Sequence, residues 1–209
     1  MPLVMKKSDL KRQQILNSSL ALVLHKGFVG VGLQEILKNC GVPKGSFYHY
    51  FESKETFGCE LLRYYISQYQ QRLNQLWDTD ASAKNKLMHY FQLWIHDPEI
   101  DAGWADRCLI VKLAAEVSDL SEDMRIIMAE GTDILTQHIS DLIRQGEQQQ
   151  SIRVNAAPDA VAQVLYQMWL GAALLSKLHK NKSALEQALV ASEFMLGDDN
   201  PHDREELES

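Results

Sequence analysis

Residues 27–57 read GFVGVGLQEILKNCGVPKGSFYHYFESKETF, and they are the most informative segment of the chain. It predicts two short helices, at about Leu33–Cys40 and Lys44–Tyr50, with a tight turn at Gly41 that ends the first of them. Pro43 is tolerated where the second helix opens, because the N–H it lacks would be unpaired there in any case. A helix-turn-helix of this layout places its second helix in the major groove of DNA.

The second of these helices has an apolar side and a polar side. Phe47, with Tyr50 and Phe51, is expected to face a small core made with the preceding helix and with an N-terminal helix that ends at Gly27. The polar side carries residue types that bind DNA: lysine and serine reach guanine or phosphate, tyrosine bonds phosphate, and glycine lets the backbone approach base edges. Lys54 would add a cation beside unpaired backbone N–H groups at the start of the next helix. The predicted DNA-contacting residues are Lys44, Gly45, Ser46, Tyr48, His49 and Lys54.

The rest of the chain is predicted to be helical as well. Ser53 is the expected N-cap of a long helix that ends near Trp77, Ser121 caps another, and Pro158 fits a first helical turn. No segment has the alternating period of a strand. Further helices are predicted at about residues 82–96, 104–117, 121–149, 158–180 and 183–196.

These elements predict an all-α protein of about nine helices with three parts. Residues 1–53 are expected to form a three-helix, helix-turn-helix DNA-binding head. Residues 54–196 are expected to form a regulatory and dimerisation body, and the polar residues 197–209 a disordered tail.

Charge is distributed unevenly between the two ends of the chain. Residues 1–63 hold nine Lys/Arg against five Asp/Glu, a net charge of +4, whereas residues 64–209 hold 12 against 23, a net charge of −11. This pattern is typical of a protein whose N-terminal part alone meets phosphate. With no signal peptide and no apolar run long enough to span a bilayer, the sequence favours a cytoplasmic protein without membrane contact.

The N-terminal motif closely resembles the TetR family of transcriptional repressors. The resemblance rests on Gly27-Phe28, Leu33-x-x-Ile36, the run Cys40–Phe51 and Ser53-Lys54-Glu55. It implies a homodimer with an all-helical body, one DNA-binding head per subunit, and release of operator DNA when an effector acts on the body. One departure is Gly32, where the family often has Ser or Thr as the N-cap, at a cost of roughly a few tenths of a kcal/mol.

The same resemblance implies that the last two helices of the body pair with those of a second copy. The segment from Pro158 to Ser176 suits this role because it carries a wide apolar stripe with small residues, although part of that stripe could equally be intramolecular core. The stripe consists of Val161, Val164, Leu165, Met168, Trp169, Ala172, Ala173 and Leu175.

Cys108 is the most informative residue of the body. It lies near a predicted helix start, and helix N-termini and nearby cations such as Arg107 and Lys112 favour the thiolate, the reactive form of cysteine. A lone cysteine in an apolar segment is also commonly a small buried hydrophobe. Cys40 and Cys59 are expected to be packing residues, and three distant cysteines fit neither a disulfide framework nor a zinc site.

A second resemblance bears on Cys108. The run Cys108–Arg125, together with Lys44–Phe51 and Gln163–Ala172, is similar to the electrophile- and oxidant-responsive repressors of the NemR type. It implies that Cys108 is modified by reactive carbonyls, quinones or hypochlorite-like oxidants, and that Lys177 accompanies it. The small-molecule partner would then be an electrophile or oxidant that acts as the inducer.

Three classes of function stay open on these grounds. The first is a DNA-binding repressor that senses reactive species through Cys108. The second is the same architecture induced by a non-covalent apolar molecule in the body, where Trp104, Tyr166 and Trp169 could line a cavity or simply be core. The third is a helical adaptor or enzyme that carries a borrowed head. Because no catalytic motif or zinc-like spacing is present, we expect no enzyme activity, no metal and no cofactor.

Overall fold

The computed structural model describes residues 7–197, and within that range the chain forms nine α-helices and one 3₁₀ turn, with no strand. The all-α prediction is confirmed. Of the predicted tail, only Gly197 lies within the described residues. The helices are α1 Lys7–Lys26, α2 Leu33–Cys40, α3 Lys44–Tyr50, α4 Lys54–Trp77, α5 Ala83–Ile95, α6 Leu109–Leu120, α7 Glu122–Gln148, α8 Pro158–His179 and α9 Ser183–Met195, and the 3₁₀ turn is Trp104–Arg107.

Several helix ends follow from local capping chemistry. The Ser53 hydroxyl accepts the Thr56 N–H at 3.0 Å, and the Ser121 hydroxyl accepts the Met124 N–H at 3.3 Å, so both serines cap the helices that follow them. Pro158 opens α8, where its missing N–H costs nothing. These three ends agree with the sequence prediction.

One predicted helix, at residues 104–117, is wrong in its bounds. The structure has a 3₁₀ turn up to Arg107 and starts a separate helix, α6, after Cys108. The reason is a set of side-chain bonds: the indole N–H of Trp104 donates to Asp97 at 2.6 Å, and the Gly103 N–H donates to Asp106 at 2.9 Å. These bonds hold residues 104–107 in the 3₁₀ turn, so the α-helix begins only after the turn has ended.

The chain divides into two compact units. The first contains residues 7–73 and 108–132, so α6 and the start of α7 belong with α1–α3. Its centre includes an aromatic trio in which the rings of Phe47, Phe51 and Phe57 lie 5.1–5.5 Å apart and join α3 to α4. The predicted division into a DNA-binding head, residues 1–53, and a regulatory body, residues 54–196, stays a prediction.

The second unit contains residues 74–107 and 133–197. Its core is aromatic: Trp169 of α8 stacks on Phe91 of α5 at 4.7 Å between ring centroids and lies edge-on to Trp94. The Trp169 indole N–H donates to the Ser192 hydroxyl of α9 at 2.9 Å, which ties α9 to α8. No helix within residues 7–197 combines the length and the apolar character needed to cross a membrane.

Candidate nucleic-acid interface and regulatory cysteine

The position of α3 is set by the turn before it. Gly41 adopts a left-handed conformation with φ 63°, a region that favours glycine, and so ends α2. The Val42 N–H then donates back to the Leu37 carbonyl at 3.1 Å, and the Pro43 carbonyl accepts the Ser46 N–H at 3.0 Å as α3 begins. The turn is therefore closed by backbone bonds alone.

The two sides of α3 differ sharply in exposure. Phe47 is completely buried in the aromatic trio, which orients the whole helix. Tyr50 is half-buried against the same core. Of the six predicted DNA contacts, Lys44, Gly45, Tyr48 and His49 are exposed and Ser46 is half-buried, so five of them share the outward side of one short helix.

Gly45 has open space where a side chain would be. A Cβ built on it meets no atom of residues 7–197 within 4 Å, and its φ is not in the left-handed region. Neither intramolecular packing nor backbone conformation therefore requires glycine at this position. An external surface that approaches the α3 backbone would require it.

An open groove of about 490 Å³ borders the end of α3. It is lined by the first turns of α1 and by Tyr50, and it includes the side chains of Lys11 and Gln14. Lys11 and Gln14 were not among the predicted DNA contacts. Their proximity to α3 depends on how α1 packs, and no local pattern encodes it.

Lys54 lies differently from the other predicted DNA contacts. Its ammonium donates to the Phe28 carbonyl at 2.9 Å and lies 4.8 Å from the centroid of the Phe28 ring. Partial burial lowers the pKa of Lys54, and the negative charge of Glu116 opposes that shift. The charge is thus engaged inside the first unit, and phosphate binding by Lys54 stays a prediction that this geometry does not favour.

Two further contacts join α6 to the junction between α1 and α2. The Lys112 ammonium donates to the His25 carbonyl at 3.1 Å. The Glu116 carboxylate accepts the N–H of Phe28 at 3.3 Å and also the N–H of Val29. Lys112 was predicted as a cation near Cys108, and Glu116 was not singled out at all, because their partners are 87 or 88 residues away in the sequence.

Cys108 is the N-cap residue of α6, and it is 4% exposed. The N–H of the next residue, Leu109, donates to the Tyr65 hydroxyl of α4 at 3.3 Å, so a tyrosine supports the start of α6. Cys108 thus lies at a helix start, as predicted, but the thiol is buried there. For Cys59, burial raises the pKa of the thiol, which keeps it in the unreactive protonated form at neutral pH.

The other predicted sensing residues lie in the second unit. Trp104, Tyr166 and Trp169 are all buried, and the rings of Trp104 and Trp169 pack against neighbouring aromatic rings. Lys177 is half-buried in the last turn of α8. In the part of the chain that the structure describes, no group of three His, Cys, Asp or Glu residues is placed to hold a metal ion.

Two segments of the chain match known protein families. Residues 15–57 match the family described as "Bacterial regulatory proteins, tetR family", and residues 83–192 match "Tetracyclin repressor-like, C-terminal domain". The HTH-type transcriptional repressor NemR of Escherichia coli K12 is 40% identical over 86% of this chain and 90% of its own length. The chain belongs to the TetR family. It is a transcriptional repressor similar to NemR.

Other members of the TetR family give the same picture. The repressor DhaR of a Mycobacterium species (strain GP1) is 32% identical over 86% of this chain and 88% of its own length. A crystal structure of a TetR/AcrR-family regulator matches with TM-score 0.82 and 62% identity over 90% of this chain and 99% of that one. The crystal structure of reduced E. coli NemR matches with TM-score 0.82 and 38% identity, over 90% and 97%. TetR repressors bind DNA and are typically dimeric.

Proposed function

We propose that two copies of this chain bind operator DNA in the cytoplasm through their α3 helices, and that electrophiles or oxidants release the DNA by modifying Cys108. The observation that carries the DNA-binding part is the outward side of α3. Lys44, Tyr48 and His49 are exposed there around a backbone that Gly45 leaves uncovered, while Phe47 anchors the helix from behind. This side chain set supports phosphate and base-edge contacts in a major groove.

The dimer is supported by an exposed apolar row on α8. The row follows helical spacing and has Gly171 at its centre, where a built Cβ meets no atom within 4 Å. α9 adds Val190 and Phe194, which are 68% and 83% exposed. Apolar side chains this exposed are typical of an interface, and an exposed helical glycine allows a second helix to approach closely. The exposed members of the α8 row are Val164, Gly171, Leu175 and Leu178, and the half-buried Met168 lies between the first two of them.

The stripe predicted from the sequence is thus divided between two roles in this proposal. Val161, Leu165 and Trp169 are buried within their own chain, whereas Val164 and Leu175 are about half exposed and are left for the second copy.

The sensing part is supported by the place of Cys108 in the chain. It begins the segment 108–132, which packs with the DNA-binding helices, and its own helix α6 bonds to the α1–α2 junction. A change in size or polarity at the start of α6 therefore has a short route to the helices that bind DNA. The relative NemR was crystallised in a form described as reduced.

The Cys108 thiol can react with both classes of reagent, electrophiles and oxidants. With an α,β-unsaturated carbonyl, the sulfur loses its proton and bonds to the β-carbon as the C=C π bond breaks. The α-carbon takes up a proton, so no net proton is released. With hypochlorous acid, the thiol is oxidised by two electrons to the sulfenic acid while chlorine leaves as chloride with a proton. Because the thiol is 4% exposed, either reaction requires a local opening at the start of α6.

The DNA-binding part is tested by titrating the DNA upstream of the chain's own gene with Lys44→Ala, Tyr48→Phe and His49→Ala variants. Loss of a phosphate contact should weaken binding and flatten its salt dependence by about one unit of slope per contact. Glu130→Gln in α7 serves as the control, because it changes the charge of an exposed side chain that is not among the predicted DNA contacts. Unchanged affinity and salt slope in all three α3 variants would refute this assignment.

The sensing part is tested by following N-ethylmaleimide labelling of each cysteine by peptide mass spectrometry during release of DNA. Release should track the labelling of Cys108 and not that of the half-buried Cys40. If an apolar, unreactive molecule releases the DNA equally well from wild type and from Cys108→Ser, the non-covalent alternative replaces this one.

A further inference from the structure

Charged side chains of α6 and of α4 bond to the backbone of the α1–α2 junction. From α6, Lys112 donates to the His25 carbonyl, and Glu116 accepts the N–H groups of Phe28 and Val29. The last carbonyls of a helix favour a cation, and unpaired N–H groups favour an anion. Lys112 and Glu116 are one helical turn apart on α6. The cation therefore meets a carbonyl at the end of α1, and the anion meets the N–H groups that follow it. We refer to this pair as the α6 clamp.

Space for the clamp is provided by Gly27. Its φ is 80°, and a Cβ built on it would lie 2.7 Å from a carboxylate oxygen of Glu116. A side chain at this position would therefore meet both backbone strain and the carboxylate. Glycine here ends α1 and also admits Glu116.

The N–H, the carbonyl and the ring of Phe28 each have a partner in the same unit. Its N–H donates to Glu116, its carbonyl accepts from Lys54 of α4, and its ring lies under the Lys54 ammonium. The ring also packs closely on α4, because a Cβ built on Gly58 would lie 2.6 Å from the Phe28 Cζ atom. Residues 27–29 therefore have little freedom while Lys54 and the α6 clamp are in place.

These residues lie in the short connection between α1 and the helix-turn-helix. Only residues 30–32 separate the clamped backbone from α2, and Val31 among them is completely buried. The closed turn at Gly41 then joins α2 to α3. We propose that Lys112 and Glu116 are positioning residues for DNA binding, which set the orientation of α3 without touching DNA. This inference rests on the proposed DNA-binding role of α3 but not on sensing by Cys108.

The experiment compares Glu116→Gln, Glu116→Ala and Lys112→Met with wild type, at a temperature where circular dichroism shows each protein to be folded. Asp119→Asn is the matched control, because it removes an exposed carboxylate from the same helix. Lys112→Arg is the conservative variant, since it keeps a donor for the His25 carbonyl. Operator affinity is measured at several salt concentrations, and amide hydrogen exchange is measured for residues 27–33 and 44–50.

We expect the three clamp variants to bind the operator about tenfold more weakly, as the loss of a hydrogen bond to a charged group would give. Their salt dependence should equal that of wild type, because no phosphate contact is lost. Exchange should rise in residues 27–33 and 44–50 and stay unchanged in α8 and α9. Asp119→Asn and Lys112→Arg should behave like wild type.

Wild-type operator affinity in folded Glu116→Gln and Lys112→Met would overturn the inference, whatever their thermal stability. So would unchanged exchange in residues 44–50, because the clamp would then not reach α3. If Glu116→Gln does not fold, Lys112→Met decides, since it removes the second contact independently. If wild type itself binds no DNA, the proposed function fails, and hydrogen exchange alone still decides whether the clamp positions α3.

Discussion

Gly45 and Gly171 are alike in one respect. Among the described helical glycines, they are the two at which a built Cβ meets no atom within 4 Å. A glycine inside a helix costs roughly 0.5–1 kcal/mol relative to alanine, because more backbone freedom is lost on folding. Within residues 7–197, no packing around the glycine offsets that cost at either site. Both glycines are therefore expected to face a surface outside the chain, DNA at Gly45 and a second copy at Gly171.

Replacing Gly45 with alanine separates stability from function. The variant should unfold at the same or a slightly higher temperature, with a gain of up to about 1 kcal/mol from helix propensity. Operator affinity should fall by about tenfold or more, because the added methyl group holds the α3 backbone away from the base edges. Circular dichroism and fluorescence anisotropy measure the two quantities.

Gly41→Ala is the matched control for Gly45→Ala. Gly41 has equally open surroundings, but its φ of 63° is in the left-handed region. Alanine there should destabilise the protein by about 1 kcal/mol. If Gly45→Ala binds the operator as tightly as wild type, the close approach of DNA to this residue is wrong.

Single residues also show what the sequence can and cannot predict. The outward residues of α3 were predictable, because helical period alone decides which side of a short helix faces its core. The partners of Lys54 and Lys112 were not, because they are main-chain carbonyls 26 and 87 residues away. For the same reason, the burial of Cys108 follows only from how α6 packs.

At the scale of elements, helix ends were predicted well wherever a cap is local. Ser53 and Ser121 each bond an N–H three residues ahead, so a short sequence window contains the whole cap. The start of α6 was missed because it depends on the bond from Trp104 to Asp97 and on the Tyr65 hydroxyl. This element carries the proposed sensor, so its stability can be tested directly.

Tyr65→Phe should loosen the start of α6. Removing the hydroxyl leaves the Leu109 N–H without this acceptor, at a cost of about 1 kcal/mol. Since Cys108 must become exposed to react, labelling by N-ethylmaleimide should be roughly fivefold faster if that cost falls on local opening. Stopped reactions analysed by mass spectrometry give the rate.

Tyr64→Phe removes a hydroxyl from the neighbouring position of α4 and serves as the control. Its Cys108 labelling rate should match that of wild type. An unchanged rate in Tyr65→Phe would mean that the Tyr65 hydroxyl does not govern access to the thiol.

At the scale of the whole molecule, the proposed dimer depends on α8 and α9. Phe194→Glu places a charge on a side chain that is 83% exposed, so the fold of one chain should be unaffected. In a dimer, the same charge would be buried without a partner, which costs several kcal/mol. Light scattering should then show a particle of one 23.8 kDa chain in place of two.

Leu120→Glu is the corresponding control, because Leu120 is 48% exposed at the end of α6. It should leave the mass of the particle unchanged. A wild-type protein that stays monomeric at micromolar concentration would contradict the proposed dimer, as would a Phe194→Glu variant that stays dimeric.

Regulation of DNA binding through Cys108 is tested by an operator titration before and after treatment with N-ethylmaleimide. Wild type, Cys108→Ser and Cys40→Ser are compared. We predict that labelling weakens operator binding by wild type and by Cys40→Ser at least about fivefold, within the usual range of allosteric coupling. Cys108→Ser should bind equally well before and after treatment. Release of Cys108→Ser to the same extent as wild type would contradict the account.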